Sequence, residues 1–255
     1  MRILCIGDII GNIGHSRLVK DLPQIKKDNN IDFVIANGEN AAEGSGITEK
    51  QYRELLKAGT NVVTMGDHTW GKKEIFKFIN ETNIIRPANL SHKIPGTGYT
   101  ILECKGKIIC VINVLGRAFM SVNSDNPFEC IEKLLQKVKA DIYVVDMHAE
   151  ATAEKIALAR YFDGKISAVY GTHTHVQTAD EQILPKGTGF ISDVGMTGPT
   201  DSVIGMEVEV SFKRFVTSIP EKYKAAEGPT CINGVIFEID ENTGKTIAVE
   251  RVNLK

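Results

Sequence analysis

The sequence predicts an α/β fold in which mixed sheets form a sandwich that is flanked by helices. In the first half of the 255-residue chain, apolar runs rich in β-branched residues alternate with amphipathic stretches. That alternation is typical of βαβ units, in which helices cover a parallel sheet. From residue 99 to residue 114 the pattern changes to two strands around Lys105-Gly106, which indicates a hairpin. The hairpin makes the predicted sheet mixed or begins a second sheet.

Strands and helices alternate through the first half of the predicted fold. Capping signals support the limits of the second helix, because Thr48 to Gln51 fits a capping box and Gly59 fits a glycine helix stop. The predicted strands are residues 2–7, 32–36 and 61–65, and the predicted helices are residues 16–27, 49–57 and 72–79.

The second half is predicted to begin with a helix that has Pro127 in its first turn. Segment 204–219 stays open, because its first half alternates like a strand whereas Phe212, Phe215 and Val216 keep helical spacing. No interdomain linker is evident, and we expect one domain over residues 1–255. The predicted helices are residues 127–139 and 152–162, and the predicted strands are residues 142–146, 166–170, 182–184, 189–193, 234–239 and 246–251.

Composition and charge argue against several classes of partner. The net charge of −2 and the pI near 6.3 give no basic face for a long nucleic acid. No run of about 18 apolar residues suggests a membrane span, and Asp8 follows too early for a signal peptide, so we expect a cytoplasmic protein without a membrane partner. The five cysteines are dispersed and contain no CxxC, and we expect most of them to be small buried side chains.

Polar side chains follow five of the predicted strands, at the point where each strand ends. In open α/β sheets this edge binds ligands. A lone residue of this kind is usually a cap or a turn former, but Asp8, Glu39 and Asp67 would repel one another in a shared cleft without cations. Carboxylates and neutral imidazoles together favour a pair of transition metals such as iron, manganese or zinc. The five groups are Gly7-Asp8, Asn37-Gly38-Glu39-Asn40, Gly66-Asp67-His68, Asp146-Met147-His148 and His173-Thr174-His175.

Each histidine also has a simpler interpretation. His173 and His175 stand just past the strand at 166–170, where alternation would place both rings on one side, but they could be polar loop residues. Standing alone, His148 would be taken for a core histidine. His15 and His92 match no motif, and both are predicted to be surface residues.

Three further features leave alternatives open. Trp70 follows His68 closely and could pack in the core or stack on a nucleobase, with packing favoured. The loop at residues 43–46 could cover the site or simply lead into the next helix. Gly7, Gly11 and Gly14 suggest a dinucleotide-binding loop only weakly, since their spacing is GxxxGxxG rather than GxGxxG.

These motifs resemble those of the calcineurin-like metallophosphoesterases, and most closely their YmdB-like branch. Ile10 stands where the wider superfamily has a histidine, and Glu39 replaces its bridging aspartate, as in that branch. Asp67 departs from the asparagine that the branch normally carries. The resemblance is carried by residues 7–11, 36–42, 65–70, 86–89, 146–150 and 171–180.

The resemblance implies a metallophosphoesterase-like α/β sandwich with a dinuclear site at the C-terminal edge of the strands. The implied cofactors are two divalent or trivalent transition metal ions, iron first and manganese or zinc as alternatives. The extra charge of Asp67 would hold the second ion more tightly and make it a weaker Lewis acid. The resemblance implies that one metal is ligated by Asp8, Glu39, Asn40 and His175. Glu39 then bridges to the second metal, whose other ligands are Asp67, His148 and His173. His68 is implied to be the unligated catalytic acid.

The activity implied by the resemblance is that of a metal-dependent phosphoric diester hydrolase. It would hydrolyse 2′,3′-cyclic nucleotides such as 2′,3′-cAMP to 3′-nucleotides, as a 2′-phosphodiesterase. A hydroxide that bridges the metals would attack phosphorus, and His68 would protonate the departing 2′-oxygen. The alternatives are a metal-retaining regulatory or nucleotide-binding protein with weak or no turnover, and a phosphoesterase with a different substrate. The expected partner is a small phosphodiester, and a homo-oligomer stays open.

Overall fold

The structure, a computed structural model that describes all 255 residues, confirms the predicted α/β class. Two mixed sheets, one of eight strands and one of six, carry the strands of the fold. The strands are β1 (Arg2–Ile6), β2 (Asp8–Ile9), β3 (Phe33–Asn37), β4 (Val62–Thr64), β5 (Ile84–Ile85), β6 (Tyr99–Cys104), β7 (Lys107–Leu115), β8 (Ile142–His148), β9 (Ala168–Thr172), β10 (Gln182–Ile183), β11 (Gly189–Ile191), β12 (Met196–Pro199), β13 (Thr230–Ile239) and β14 (Thr246–Leu254). The α-helices are α1 (Gly11–Asp28), α2 (Glu49–Ala58), α3 (Pro127–Lys137), α4 (Thr152–Tyr161) and α5 (Val208–Thr217).

Each sheet has a parallel centre with antiparallel neighbours. The larger sheet has the order β2-β12-β13-β1-β3-β4-β5, with β14 also paired to β13. In it, β1, β3, β4 and β5 run parallel, whereas β13 is antiparallel to β1. The smaller sheet has the order β10-β11-β9-β8-β7-β6, and its four central strands are parallel. The carboxyl ends of the parallel strands within each sheet therefore point the same way.

Apolar side chains fill three layers of the molecule. The middle layer lies between the two sheets, where Phe33 and Phe237 of the larger sheet meet Val111 and Tyr170 of the smaller one. One outer layer joins the larger sheet to α1 and α2, and the other joins the smaller sheet to α3 and α4. Burial of this apolar surface holds the sheets face to face and fixes the two helical layers outside them.

Local signals read from the sequence are confirmed where they set the ends of elements. The Thr48 hydroxyl accepts a hydrogen bond from the Gln51 backbone N–H, and the Gln51 side chain accepts one from Thr48, which completes the capping box of α2. Gly59 ends this helix with a φ of 111°. Lys105 and Gly106 both have positive φ, as a two-residue turn between β6 and β7 requires.

The predicted helix at 72–79 is wrong, because two short 3-10 helices, Lys73–Lys77 and Ile79–Glu81, stand there instead. Tertiary contacts hold this segment in tighter turns. The Phe76 ring stacks on Trp70 with centroids 5.0 Å apart, and Glu74 Oε1 accepts a hydrogen bond of 2.8 Å from the Glu49 backbone. These contacts override the helical spacing of the sequence.

The first helix begins earlier than predicted, and this changes the position of His15. Because α1 begins at Gly11, His15 lies within the helix and is only 4% exposed. Its Nε2 lies 3.1 Å from the Gln51 carbonyl oxygen at the start of α2. The prediction of a surface position is therefore wrong for His15, whereas His92 is exposed as predicted.

Within the open segment 204–219, residues Val208–Thr217 form helix α5. Its apolar side chains keep helical spacing but face solvent, since Phe215 is 77% and Val216 80% exposed. No helix of the protein combines the length and the apolar character that a membrane crossing needs.

The glycines of the first loop serve close packing. A Cβ atom at Gly7 would collide with the carbonyl oxygen of Gly195, and one at Gly14 would collide with that of Thr197. The segment around β12 therefore lies directly against the first loop and the start of α1. This packing accounts for two of the three glycines that had suggested a dinucleotide-binding loop.

Candidate metal centre

All the predicted ligand residues lie at the ends of central parallel strands. Asp8 lies two residues past the end of β1 and begins the short strand β2, Glu39 and Asn40 follow β3, and Asp67 follows β4 in the larger sheet. In the smaller sheet His148 is the last residue of β8, and His173 and His175 follow β9. Contacts between side chains from the two sheets, described below, show that both sets of strand ends meet at one edge of the sandwich.

Four of these side chains form a compact group. One ligand atom each from Glu39, Asp67, His148 and His173 lies within 4.8 Å of the other three. His148 is at the centre, with its Nε2 atom 3.0 Å from Asp67 Oδ1 and 3.2 Å from Glu39 Oε1. His173 Nδ1 lies 3.1 Å from the same His148 nitrogen. A set of two carboxylates and two imidazoles matches the ligands of first-row transition metals.

The other three predicted ligands form a second group that also contacts Glu39. His175 Nε2 lies 3.2 Å from Asn40 Nδ2 and 3.8 Å from Asp8 Oδ1. Asn40 Nδ2 in turn lies 3.3 Å from Glu39 Oε1, so Glu39 is common to both groups. This arrangement agrees with the division into two metal sites implied by the resemblance, while the ligand roles themselves stay a prediction.

The histidine rings are oriented by acceptors outside the two groups. His175 Nδ1 lies 2.8 Å from the Ile204 carbonyl oxygen, and His173 Nε2 lies 3.2 Å from Glu150 Oε2. These oxygens can only accept, so the outer nitrogen of each ring carries the proton. In the neutral rings, the lone pairs of His175 Nε2 and His173 Nδ1 then point into the groups, as metal ligation requires.

His148 is oriented through a hydroxyl. Its Nδ1 lies 2.9 Å from Thr172 Oγ1, and this hydroxyl donates its proton to Asp146 Oδ1 at 2.7 Å. The oxygen of Thr172 is therefore left to accept the His148 Nδ1 proton. Burial raises the pKa of Asp146 to about 7, so the carboxylate that accepts from Thr172 predominates above that pH.

Electrostatic interactions within the groups shift the pKa of each acid. Burial alone would raise the pKa of Glu39, but the adjacent His148 and His68 lower it to about 2. The same balance of burial against hydrogen bonds from His148 and His173 lowers the pKa of Asp67. Burial lowers the pKa of His148, but Glu39 and Asp67 outweigh this and raise it well above its usual range. The carboxylates at this edge of the sandwich therefore stabilise positive charge placed beside them.

Asp8 is the carboxylate that lacks such compensation. Burial raises its pKa, with His175 opposing. Its Oδ2 accepts a hydrogen bond of 3.1 Å from the His173 backbone N–H, but Oδ1 is buried and has no hydrogen-bond partner. A buried carboxylate oxygen without a donor is costly unless a cation satisfies it. The residues present thus fit a metal centre.

His68 differs from the other histidines of the edge. Its side chain is 45% exposed, and its Nδ1 lies 3.2 Å from Glu39 Oε1. The hydrogen bond to Glu39 raises the pKa of His68. Its Nε2 has no hydrogen-bond partner in the protein, so this nitrogen is free to contact a bound molecule.

The loop that carries His173 and His175 is not extended, which corrects the expectation that both rings lie on one side. His173 has a φ of 95° and His175 a φ of 65°. Left-handed backbone at residues other than glycine costs about 1–3 kcal/mol each. Because both residues adopt it, one ring points to each group. Sequence reasoning assigned no role to Glu150, Thr172, Lys155 or Asp193, which support these rings or their loop.

The two open features near the site pack against neighbours. The Trp70 ring stacks on Phe76 and packs against the outer core, as the packing alternative predicts. In the loop at 43–46, Glu43 Oε2 lies 2.7 Å from Lys72 Nζ, and Gly44 packs against the Tyr223 ring so closely that a Cβ atom would not fit. The loop is therefore held between two other segments.

The chain is similar to known proteins over nearly its whole length. The model of the YmdB-like protein family matches residues 4–252. The chain is 48% identical over 254 residues to the 2′,3′-cyclic-nucleotide 2′-phosphodiesterase of Bacillus subtilis strain 168, covering 99% of this chain and 96% of that protein.

Solved structures agree with the fold. A hypothetical protein from Thermus thermophilus superimposes with a TM-score of 0.95 at 42% identity, over 99% of this chain and 98% of that one. A novel phosphatase from Mycoplasma pneumoniae superimposes with a TM-score of 0.94 at 37% identity, over 100% of this chain and 93% of that one. The predicted metallophosphoesterase-like sandwich is confirmed at this level.

Metal binding should stabilise the fold measurably. At 100 times its dissociation constant, Mn²⁺ should raise the free energy of unfolding by about 2.7 kcal/mol, seen as a higher Tm. His148→Ala should lose most of this increase, whereas His92→Ala, at an exposed position, should keep it. Affinity should fall as pH falls, because the raised pKa of His148 lets a proton compete for its ring. Equal Mn²⁺-induced shifts in wild type and His148→Ala would contradict the assignment.

Proposed function

The chain belongs to the YmdB-like protein family, and on this basis we propose that it is a metal-dependent phosphodiesterase that hydrolyses 2′,3′-cyclic nucleotides to 3′-nucleotides. The observation that carries the proposal is the pair of ligand groups that share Glu39 at one sheet edge. The relative from Bacillus subtilis, which is named for this activity, covers nearly the whole chain.

Two transition metal ions are the proposed cofactors, with iron first and manganese or zinc as alternatives. Asp8, Asn40 and His175 would hold one ion, Asp67, His148 and His173 would hold the other, and Glu39 would contact both. When bound, the ions would lower the pKa of a shared water and neutralise charge that develops on the phosphoryl oxygens. The protein prepares this edge by burying Asp8, Glu39 and His148, each at most 1% exposed.

His68 is proposed to protonate the leaving oxygen of the ribose. Its Nδ1 is held by Glu39, which fixes the ring, and its unpartnered Nε2 is the nitrogen that can reach substrate. A protonated His68 donates from Nε2 to the departing 2′-oxygen, and the neutral ring is left behind. General acid catalysis of this kind usually contributes about 10²- to 10⁴-fold to the rate.

A phosphoesterase of different substrate is the second candidate. The superimposed protein from Mycoplasma pneumoniae is named a phosphatase, and a phosphatase can act on a phosphomonoester. The ligand groups would serve both reactions, because both develop charge on phosphoryl oxygens. The two candidates differ in the leaving group and hence in the product.

Substrate class can be tested directly. Metal-replete protein should hydrolyse 2′,3′-cyclic AMP to 3′-AMP and should act much more slowly on 3′,5′-cyclic AMP and on 3′-AMP. The assay should identify the product isomer by chromatography. Faster hydrolysis of 3′-AMP favours the phosphatase candidate, and stoichiometric metal without turnover on any substrate favours a binding or regulatory role.

Replacing the proposed acid should separate chemistry from metal binding. His68→Ala should lower kcat on 2′,3′-cyclic AMP by at least about 10²-fold while metal content stays at the wild-type level. His92→Ala is the matched control, since its exposed ring lies outside the site, and it should retain activity. Full activity of His68→Ala would remove this residue from the mechanism.

A substitution at Asp67 tests the one ligand position at which this chain departs from the YmdB-like branch. Asp67→Asn removes one negative charge next to His148 and His173 and should weaken binding of the second metal ion. Turnover should persist at saturating metal, because the amide oxygen can still ligate. Metal titration and kcat at saturating metal are the measurements. A variant that stays metal-free at every concentration would show that the acid is essential here.

A further inference from the structure

Beneath the loop of His173 and His175 lies a fully buried ion pair. Lys155 of α4 is 0% exposed and Asp193 is 1% exposed. Lys155 Nζ lies 2.8 Å from Asp193 Oδ2. Replacing a buried ion pair by apolar residues is often neutral or stabilising, so fold stability alone is a weak reason for this pair.

The pair binds backbone groups on both sides of His173. Lys155 Nζ donates a hydrogen bond of 2.8 Å to the Thr172 carbonyl oxygen. Asp193 Oδ2 accepts one of 3.2 Å from the Thr174 backbone N–H. The two peptide groups next to His173 are therefore fixed by one lysine and one aspartate.

The other contacts of the pair fix its own position. Asp193 Oδ1 accepts a hydrogen bond of 2.8 Å from the Gly195 backbone N–H. The stem of Lys155 lies against Gly171, where a Cβ atom would come within 2.7 Å of Lys155 Cδ. A Cβ atom there would also collide with the Ser192 carbonyl oxygen, so glycine at residue 171 lets both neighbours pack closely.

The loop needs such support because its conformation is strained. With φ of 95° at His173 and 65° at His175, the backbone lies in a region that residues other than glycine rarely adopt. An extended loop would place both rings on one side of the strand. The ring of His173 would then leave His148 and Asp67, or the ring of His175 would leave Asn40 and Asp8.

We propose that Lys155 and Asp193 are positioning residues that hold the His173-Thr174-His175 loop in the conformation that sends one imidazole to each metal site. The inference rests on the proposed function, since it presumes that these imidazoles ligate metal. No hydrogen bond or ion pair joins either residue to a ligand side chain, so the pair acts through the backbone of Thr172 and Thr174.

The test uses the full chain with both charges removed. Lys155→Met combined with Asp193→Leu fills the space with apolar atoms but provides neither the donor to Thr172 nor the acceptor for Thr174. We expect a folded protein with metal affinity reduced about 10- to 100-fold, the usual effect of losing groups that orient ligands. Affinity is measured by chelator competition with Mn²⁺, and folding by circular dichroism.

A spectroscopic readout distinguishes positioning from general destabilisation. Co²⁺-loaded wild type and variant should differ in their visible absorption bands, because the ligand geometry changes when the rings move. Lys133→Met is the matched control, since this lysine is 78% exposed and should leave both affinity and spectrum as in wild type. The single variant Lys155→Arg, which keeps charge and donors, should recover part of the affinity.

The outcomes separate this inference from the proposed function. A folded double variant with wild-type Mn²⁺ affinity and an unchanged Co²⁺ spectrum overturns the positioning role even if wild type hydrolyses 2′,3′-cyclic AMP. Reduced affinity and an altered spectrum support it even if wild type hydrolyses none of the nucleotides tested. If the double variant does not fold, Lys155→Met combined with Asp193→Asn takes its place, because this pair leaves no buried charge unpaired and still removes the donor to Thr172. Reduced affinity with an altered spectrum is again the expected result.

Discussion

Three carboxylates share one edge of the sandwich with little access to water, and their mutual repulsion constrains everything around them. Glu39 and Asp67 are compensated by imidazoles, and this keeps their pKa low, whereas the buried Oδ1 of Asp8 has no partner. Such an arrangement persists in a folded protein only where positive charge offsets it. The histidines, their outer acceptors and the proposed cations all help to offset the negative charge of these carboxylates.

The topology of the two sheets brings the carboxylates and the histidines that offset their charge to the same edge. Asp67 and His148 are 81 residues apart in sequence, yet their side chains lie 3.0 Å apart. Each stands at the carboxyl end of a parallel strand, one in each mixed sheet, and the apolar layer between the sheets fixes the distance between them. Packing far from the site therefore determines how closely its charges approach.

Much of the fold and of the site could be predicted from local patterns. Strand ends followed by Asp8, Glu39 or His148 are visible in the sequence, as is the capping box at Thr48, because each depends on neighbouring residues alone. The left-handed backbone of His173 could not be predicted, since it depends on contacts with Lys155. That lysine stands on a helix, where the sequence pattern favours a solvent-exposed position, and only the packing of α4 against β9 shows that it is buried.

Glu39 would give the proposed two-metal centre a thermodynamic property that neither group would have alone. Its Oε1 atom lies 3.2 Å from His148 in one group and 3.3 Å from Asn40 in the other. In the proposed two-metal centre, an ion that drew this carboxylate toward itself would change both the charge and the orientation that the other site offers. Occupancy of the two sites would then be coupled, and the coupling would be reciprocal: whatever factor the first ion imposed on the second, the second would impose on the first.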